Sequence, residues 1–382
     1  MRIGIVGAGH AGVAAAQAAA KMGNEVTLFS NENSLPYFRP RMPAVAFGQA
    51  DVEAAIMHPL DWYKKQSIDL KLNEPVKKLT VDKKIINDSD KEYSFDKVII
   101  TAGAVPIIPP FAKVCKTGSV IPLWNIEHAQ AIRKKIDKIK KLAIIGGGVI
   151  GIEAALRAAD VGLDVTIIER LDNLMERNLS NKASELLAYG IKDKGIKIFT
   201  GHTVESIDDS SSSINIVTDK KNDIKADLVI LSIGNTFNMR FTEPAGLQKD
   251  KAIIVDSHMQ SSNENFFAAG DMAQLPDIIN ICSAIKAVKQ GKVVGINSSV
   301  VSDKEMSVFE PEPISVMLKY GGFQLYTIGK TPNNGLQEEI LEDKANEIYR
   351  AIIKEDGKIV GIQMIGSLTD YKKFEKELLI EQ

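Results

Sequence analysis

Apolar residues along the chain come in short runs, separated by glycine turns and by alanine-rich stretches at helical spacing. Residues 3–6 (IGIV) form one such run; GAGHAG follows, residues 13–20 are alanine-rich, Gly23 is a stop, and EVTLF supplies a second β-branched run. The same order returns later as LAII at 142–145, GGGVIG, an alanine-rich stretch, Gly162 and DVTII. Gly7, Gly9 and Gly12 of the first copy align without a gap on Gly146, Gly148 and Gly151 of the second. Each copy therefore predicts strand, turn, helix, strand, the context in which G-x-G-x-x-G binds a dinucleotide. The first glycine permits the tight turn, the second lets backbone approach a diphosphate, and the third lets helix and strand pack closely. The diphosphate then rests on free N–H groups at a helix N-terminus. Two such units predict two dinucleotides.

The copies differ at the end of the second strand, where an acidic residue accepts hydrogen bonds from a ribose hydroxyl. The second copy has Glu169 there and the first has Ser30, with Glu32 two residues further on. Glu169 would repel a 2′-phosphate, which favours NAD over NADP. Glu153, in place of Ala14, is read either as a carboxylate complementing the helix dipole or as a residue near a nicotinamide.

Length and charge set the frame. The 382 residues suffice for two or three cores, and a net charge of −2 gives no footprint for nucleic acid. The cluster KKIDKIKK at 134–141 reads as a solvated helix end. Residues 3–20 carry no charged side chain and mimic an export signal or weak membrane span, but their glycine spacing and their register with residues 142–159 point to a fingerprint unit. With only two cysteines, the expectation is a cytoplasmic chain without a membrane segment.

Four further stretches follow in order: LPYFRPRM at 35–42, VIITAGAVP at 98–106, LSIGN at 231–235 and FFAAGDMAQLP at 266–276. With both fingerprints they resemble the FAD- and NAD(P)H-dependent pyridine-nucleotide oxidoreductases, most of all the NADH:rubredoxin oxidoreductases and the amino-terminal part of nitrite reductase large subunits. The resemblance implies an α/β fold with two Rossmann-like, three-layer dinucleotide-binding domains, the NAD domain inserted in the FAD domain, plus a small C-terminal α/β domain. The expected boundaries are 1–108 and 236–309 for FAD, 109–235 for NAD(H) and 310–382 for the last domain.

The same resemblance implies the site residues. FAD would be lined by Gly7, Gly9, His10, Ala11, Gly12, Ser30, Glu32, Val76, Thr101, Ala102, Gly103 and Gly270, with Asp271 bonding the ribityl chain. NADH would take Gly146, Gly148, Val149, Ile150, Gly151, Glu153, Glu169 and Gly234. In the loop, Pro36, Pro40 and Pro43 are expected to preclude an ordinary helix and hold Arg39 and Arg41 extended, toward the pyrophosphate or the flavin ring. Related flavoenzymes often carry a lysine where this chain has Ala44, so no role passes to that position. A helix beginning near Asn280 would stabilise charge on reduced flavin through its positive end.

Hydride transfer from NADH to FAD is the implied chemistry, with no side-chain acid or base required. Thiol-dependent relatives place cysteine over the flavin, whereas the loop NSLPYFRPRMPAV has none. Cys115 and Cys282 are too far apart in sequence for a short redox pair and read first as buried structural thiols; Cys282 is the one a helix N-terminus would activate, beside the flavin. The implied acceptor is a small one-electron protein such as rubredoxin. Oxygen, as in an NADH oxidase, or a non-enzymatic redox-sensing role are the alternatives.

After EPEPI at 310–314, two strands are expected around Gly321-Gly322, a hairpin at Asp356-Gly357 and a helix in DYKKFEKELLIE. The family uses such a domain for homodimerisation or to cover the flavin, and the sequence leaves both open.

Overall fold

The computed structural model describes residues 1–382 except 116, 212, 277–281, 301, 314, 333–335, 344–347 and 381–382. It divides into two compact units, one of Met1–Arg39, Val52–Val105 and Asn235–Pro311, the other of Pro40–Asp51, Pro106–Gly234 and Glu312–Gln382.

The first unit is built on a five-stranded parallel sheet in the order Phe266–Ala268, Lys97–Ile100, Arg2–Val6, Glu25–Phe29, Ile68–Lys71. Ile3, Ile5, Leu28, Ile99, Ile100, Phe266 and Phe267 are fully buried, as strands covered on both faces require. The second unit repeats the plan, with Lys197–Phe199, Asp164–Ile168, Lys141–Ile145, Leu228–Leu231 and Val120–Pro122 in one parallel sheet. In each, the fingerprint strand is central and the fourth strand lies on its other side. That reversal is the point where ligands bind at the strands' carboxyl ends. The outermost strand beyond it comes from chain after the insertion in one unit and from chain before the fingerprint in the other.

The repeat extends further than the glycines. Each unit inserts a three-stranded antiparallel meander before its fourth strand: Val76–Leu79, Lys84–Asn87 and Glu92–Ser94 in the first; Val204–Asp208, Ile214–Thr218 and Asp223–Ala226 in the second.

The C-terminal residues form a five-stranded antiparallel sheet in the order Ser315–Tyr320, Phe323–Gly329, Lys358–Ile365, Ile348–Glu355, Gln337–Asp343, followed by the helix Tyr371–Ile380. Both expected hairpins are present, with positive φ at Gly321 and Gly322 and at Asp356 and Gly357. The strand Gln337–Asp343 has no counterpart in the sequence reading. It is exposed at every position, so it carries no alternation to read. Ser180 N–H donates to Gln363 Oε1 at 3.0 Å and Thr327 Oγ1 to the Asn178 carbonyl at 3.2 Å, tying this sheet to the rest of its unit.

The proline-rich loop departs from expectation. Arg39–Arg41 is a 3₁₀ turn and Met42–Ala46 an α-helix. Pro40 and Pro43 sit in first turns, where the missing N–H is no loss and the fixed φ suits a helix. Among the described residues no helix is long and apolar enough to cross a membrane.

Candidate cofactor sites

The two fingerprint turns match hydrogen bond by hydrogen bond. Gly7 N–H donates to the Phe29 carbonyl at 2.9 Å and Gly146 N–H to that of Ile168 at 2.8 Å. Thr101 N–H reaches Val6 and Ser232 N–H reaches Ile145, both at 2.8 Å. Ser30 N–H meets Lys71 and Glu169 N–H meets Phe199, again at 2.8 Å. Gly7 and Gly146 have φ +106° and +112°, and a Cβ on either would overlap the carbonyl oxygen of Thr101 or Ser232. A Cβ on Gly12 or Gly151 would overlap the carbonyl of the first glycine in its own turn. These four glycines are required by the fold itself.

Gly9 and Gly148 are not. A Cβ on either meets nothing within 4 Å. Both are N-caps without a side-chain cap hydrogen bond, although Ser180 and Ser283 cap other helices of this chain. Behind each lies a first turn, His10–Gly12 or Val149–Gly151, whose N–H groups have no intrahelical acceptor. An uncapped helix end behind an open glycine fits the diphosphate of a dinucleotide, and each unit has one.

At the strand ends the units diverge. Glu169 accepts from Gly147 N–H at 2.6 Å and from Leu171 N–H at 2.8 Å, which fixes its carboxylate beside the glycine turn. Ser30 is buried and its hydroxyl accepts from Glu32 N–H at 3.2 Å. The acid of the first unit is Glu32, held by Tyr37 Oη–H at 2.7 Å and by Arg39 at 2.9 Å. Arg39 therefore neutralises Glu32 within its own unit. Burial, then the Arg39 cation, lowers His10 to about 4, so its imidazole is neutral at physiological pH and packs on Phe38 with ring centroids 5.8 Å apart.

The remaining expected residues sort by what they touch. Thr101 donates to the Gly7 carbonyl at 2.8 Å, a strut for the turn, while Ala102 is exposed and a Cβ on Gly103 would meet nothing within 4 Å. Val76 opens the first meander and packs on the core. Arg41 falls in the second unit, as does Pro40. Gly234 has φ +103° and accepts from Ile107 N–H at 3.1 Å, and Ile150 is exposed on the first turn. Glu153 lies in the second helical turn, beyond the reach of the dipole. It ion-pairs with Arg157 at 2.8 Å, whose guanidinium covers the Tyr320 ring at 4.3 Å.

The last group surrounds Asp271 in the first unit. The helix here runs Ala284–Asn297; residue 280 lies outside the described residues and Cys282 precedes the helix. Burial first, and then the nearby Asp271 carboxylate, push the Cys282 thiol up to about 12 instead of activating it. Its Sγ contacts the Asn235 side chain at 3.7 Å. Both cysteines are free thiols. Alkylation at Cys282 should therefore stay slow through pH 10 in the native protein; a reactive thiolate at pH 8, measured by mass shift, would contradict this. Three residues of this corner went unnoticed in the sequence: Asn235, Lys286 and Gln290. A polar Gln290 between the small residues Ala287 and Gly291 on the buried face of this helix was a signal the sequence offered.

The family model described as pyridine nucleotide-disulphide oxidoreductase matches residues 1–291. The chain belongs to that family. Residues 315–382 match the rubredoxin NAD+ reductase C-terminal domain. Relatives of this pyridine nucleotide-disulphide oxidoreductase include the NADH-rubredoxin oxidoreductase of Clostridium acetobutylicum, 28% identical over 382 residues, 99% of this chain and 94% of that one. The solved structure of NADH:rubredoxin oxidoreductase from the same organism matches with a TM-score of 0.82 at 25% identity, covering 100% of this chain and 95% of that one. An NADH oxidase of Methanocaldococcus jannaschii is 30% identical over 400 residues, 96% of this chain and 88% of its own. The assimilatory nitrate reductase electron transfer subunit of Bacillus subtilis is 27% identical over 99% of this chain but only 49% of its own length. The chain thus spans about half the length of some curated relatives.

Proposed function

We propose that the chain is an FAD-dependent oxidoreductase that takes hydride from NADH and passes electrons to a small electron-transfer protein such as rubredoxin. The observation that carries this is the pair of matched turns, each with an open middle glycine, of which only the second has an acid bonded to its own glycine N–H. In this reading residues 1–108 and 236–309 form the FAD domain, 109–235 the NADH domain and 310–382 the small C-terminal domain. Gly9 and the first turn behind it hold the FAD diphosphate, and Asp271 accepts from the ribityl hydroxyls. Gly148 and Glu169 hold NADH by its diphosphate and ribose. Bound FAD supplies the redox chemistry, accepting two electrons as hydride and releasing them singly. The protein's part is to bind, orient and exclude water.

A cytoplasmic location, supported by the two free thiols, and a homodimer, supported by the family's use of such a C-terminal domain, belong to the same proposal. NADH-driven reduction of rubredoxin by the purified protein tests the function. No reduction of any one-electron protein, with rapid consumption of oxygen, would favour the second reading, an NADH oxidase like the Methanocaldococcus relative.

The proposal includes no thiol relay, because Cys282 is held protonated and the loop beside Arg39 has no cysteine. Cys115→Ser combined with Cys282→Ser should keep acceptor reduction within about threefold, ~0.65 kcal/mol of barrier. A hundredfold loss with flavin still bound and still reduced by NADH would place a thiol in the pathway.

A further inference from the structure

Small residues seat the helix Ala284–Asn297 on the first helix, His10–Lys21. A Cβ on Gly291 or Gly295 would overlap the carbonyl oxygen of Ala11 or Ala15. This contact brings the start of the later helix against the Gly270–Met272 turn, where Gly270 N–H donates to Gln290 Oε1 at 2.9 Å. A Cβ on Gly270 would lie 3.1 Å from that of Ala11 and 3.5 Å from that of Ala287. Asp271 shares the corner with the Lys286 ammonium and the Cys282 thiol, and interacts more weakly with Arg39. Asn235 closes it from the side of the sulfur. From the first helix, His10 adds no charge at neutral pH.

Lys286 stands where local physics disfavours it. A cation in the first turn opposes the helix dipole, and burial lowers its affinity for a proton. Burial likewise drives Asp271 toward its neutral acid, and the strongest opposing influence is Lys286. The attraction is mutual, since Asp271 holds the proton on Lys286. A neutral acid would turn one acceptor oxygen into a donor.

We propose that Lys286 is a positioning residue for Asp271: its ammonium keeps that carboxylate an ionised acceptor for the FAD sugar-alcohol hydroxyls. This rests on the FAD reading above. FAD retention below neutral pH then depends on a lysine assigned no contact with the cofactor. The sign follows from the charge. Removing the ammonium raises the pH at which Asp271 takes up a proton, so FAD is lost at higher pH than in the unaltered protein.

The test uses the full-length FAD-loaded protein, with released flavin measured by fluorescence after filtration across a pH series and folding followed by circular dichroism. Lys286→Met and Lys286→Gln should each move the midpoint of release upward by about one pH unit, a tenfold change in proton affinity. Lys286→Arg should restore the original midpoint. In an Asp271→Asn background, adding Lys286→Met should produce no further shift. An unchanged midpoint in both neutral variants, a uniform loss of FAD without pH dependence, or a shift persisting with Asp271→Asn would each overturn the proposal. If the unaltered protein retains no FAD at any pH, the FAD reading itself fails, and this inference with it.

Discussion

A Gly9→Val variant is expected to fold and to purify colourless. Gly9 has φ −78° and ψ −166°, extended backbone open to any residue, and a Cβ there meets no protein atom within 4 Å. The apo chain should therefore lose only the difference between a good and a poor N-cap, about 1 kcal/mol. The added side chain instead occupies the space a diphosphate would take, so FAD occupancy should fall at least about tenfold, equivalent to ~1.4 kcal/mol or more. Gly12→Val serves as the contrast, because its Cβ overlaps the Gly7 carbonyl and lies 2.9 Å from Thr101 Oγ1. That variant should be unstable with or without cofactor. The ratio of flavin to protein absorbance, with a thermal melt of each variant, separates the two outcomes. Full FAD occupancy in Gly9→Val would remove the basis for placing the cofactor at this turn.

Glu169→Ala should lower kcat/KM for NADH by about ten- to a hundredfold. The estimate takes a charge-assisted hydrogen bond as roughly 1.5 to 3 kcal/mol, at 1.36 kcal/mol per decade. The carboxylate already accepts two backbone N–H groups, from Gly147 and Leu171, so it is held in one orientation before any ligand binds. Removing it also leaves those N–H groups without their acceptor, a loss that would weaken NADH and NADPH alike. The ratio of the two cofactors isolates the ribose contact: NADPH, repelled by the carboxylate in the unaltered protein, should lose much less. Equal use of NADH and NADPH before any substitution would contradict the role.

What was legible in the sequence was local and steric. Gly12 and Gly151 are dictated by the carbonyl of the first glycine in their own turn, and Gly7 and Gly146 by their positive φ, so their spacing carried the fingerprint and its strand–helix context. The turns at Gly321-Gly322 and Asp356-Gly357 were legible for the same reason, positive φ. Misreadings arose where position within an element outweighed residue type. Pro40 and Pro43 argued against a helix, yet in a first turn they favour one. The strand Gln337–Asp343 is acid-rich and wholly exposed, and forms by backbone pairing with Ile348–Glu355. Glu153 looked like a dipole partner until its depth in the helix and its bond to Arg157 were fixed. The corner of Asp271, Cys282 and Lys286 was illegible because Gly291 and Gly295 create it by packing on Ala11 and Ala15, far away in sequence. A helix-terminal cysteine left activation open beside the reading of a buried structural thiol; burial beside a carboxylate favours the latter.

The central claim is that this chain carries FAD and reduces it with NADH. Anaerobic stopped-flow mixing of the FAD-loaded protein with NADH tests it most directly, with the flavin absorbance as readout. The account predicts loss of the oxidised flavin band within milliseconds with NADH and far more slowly with NADPH. Flavin that remains oxidised for minutes in excess NADH would contradict it.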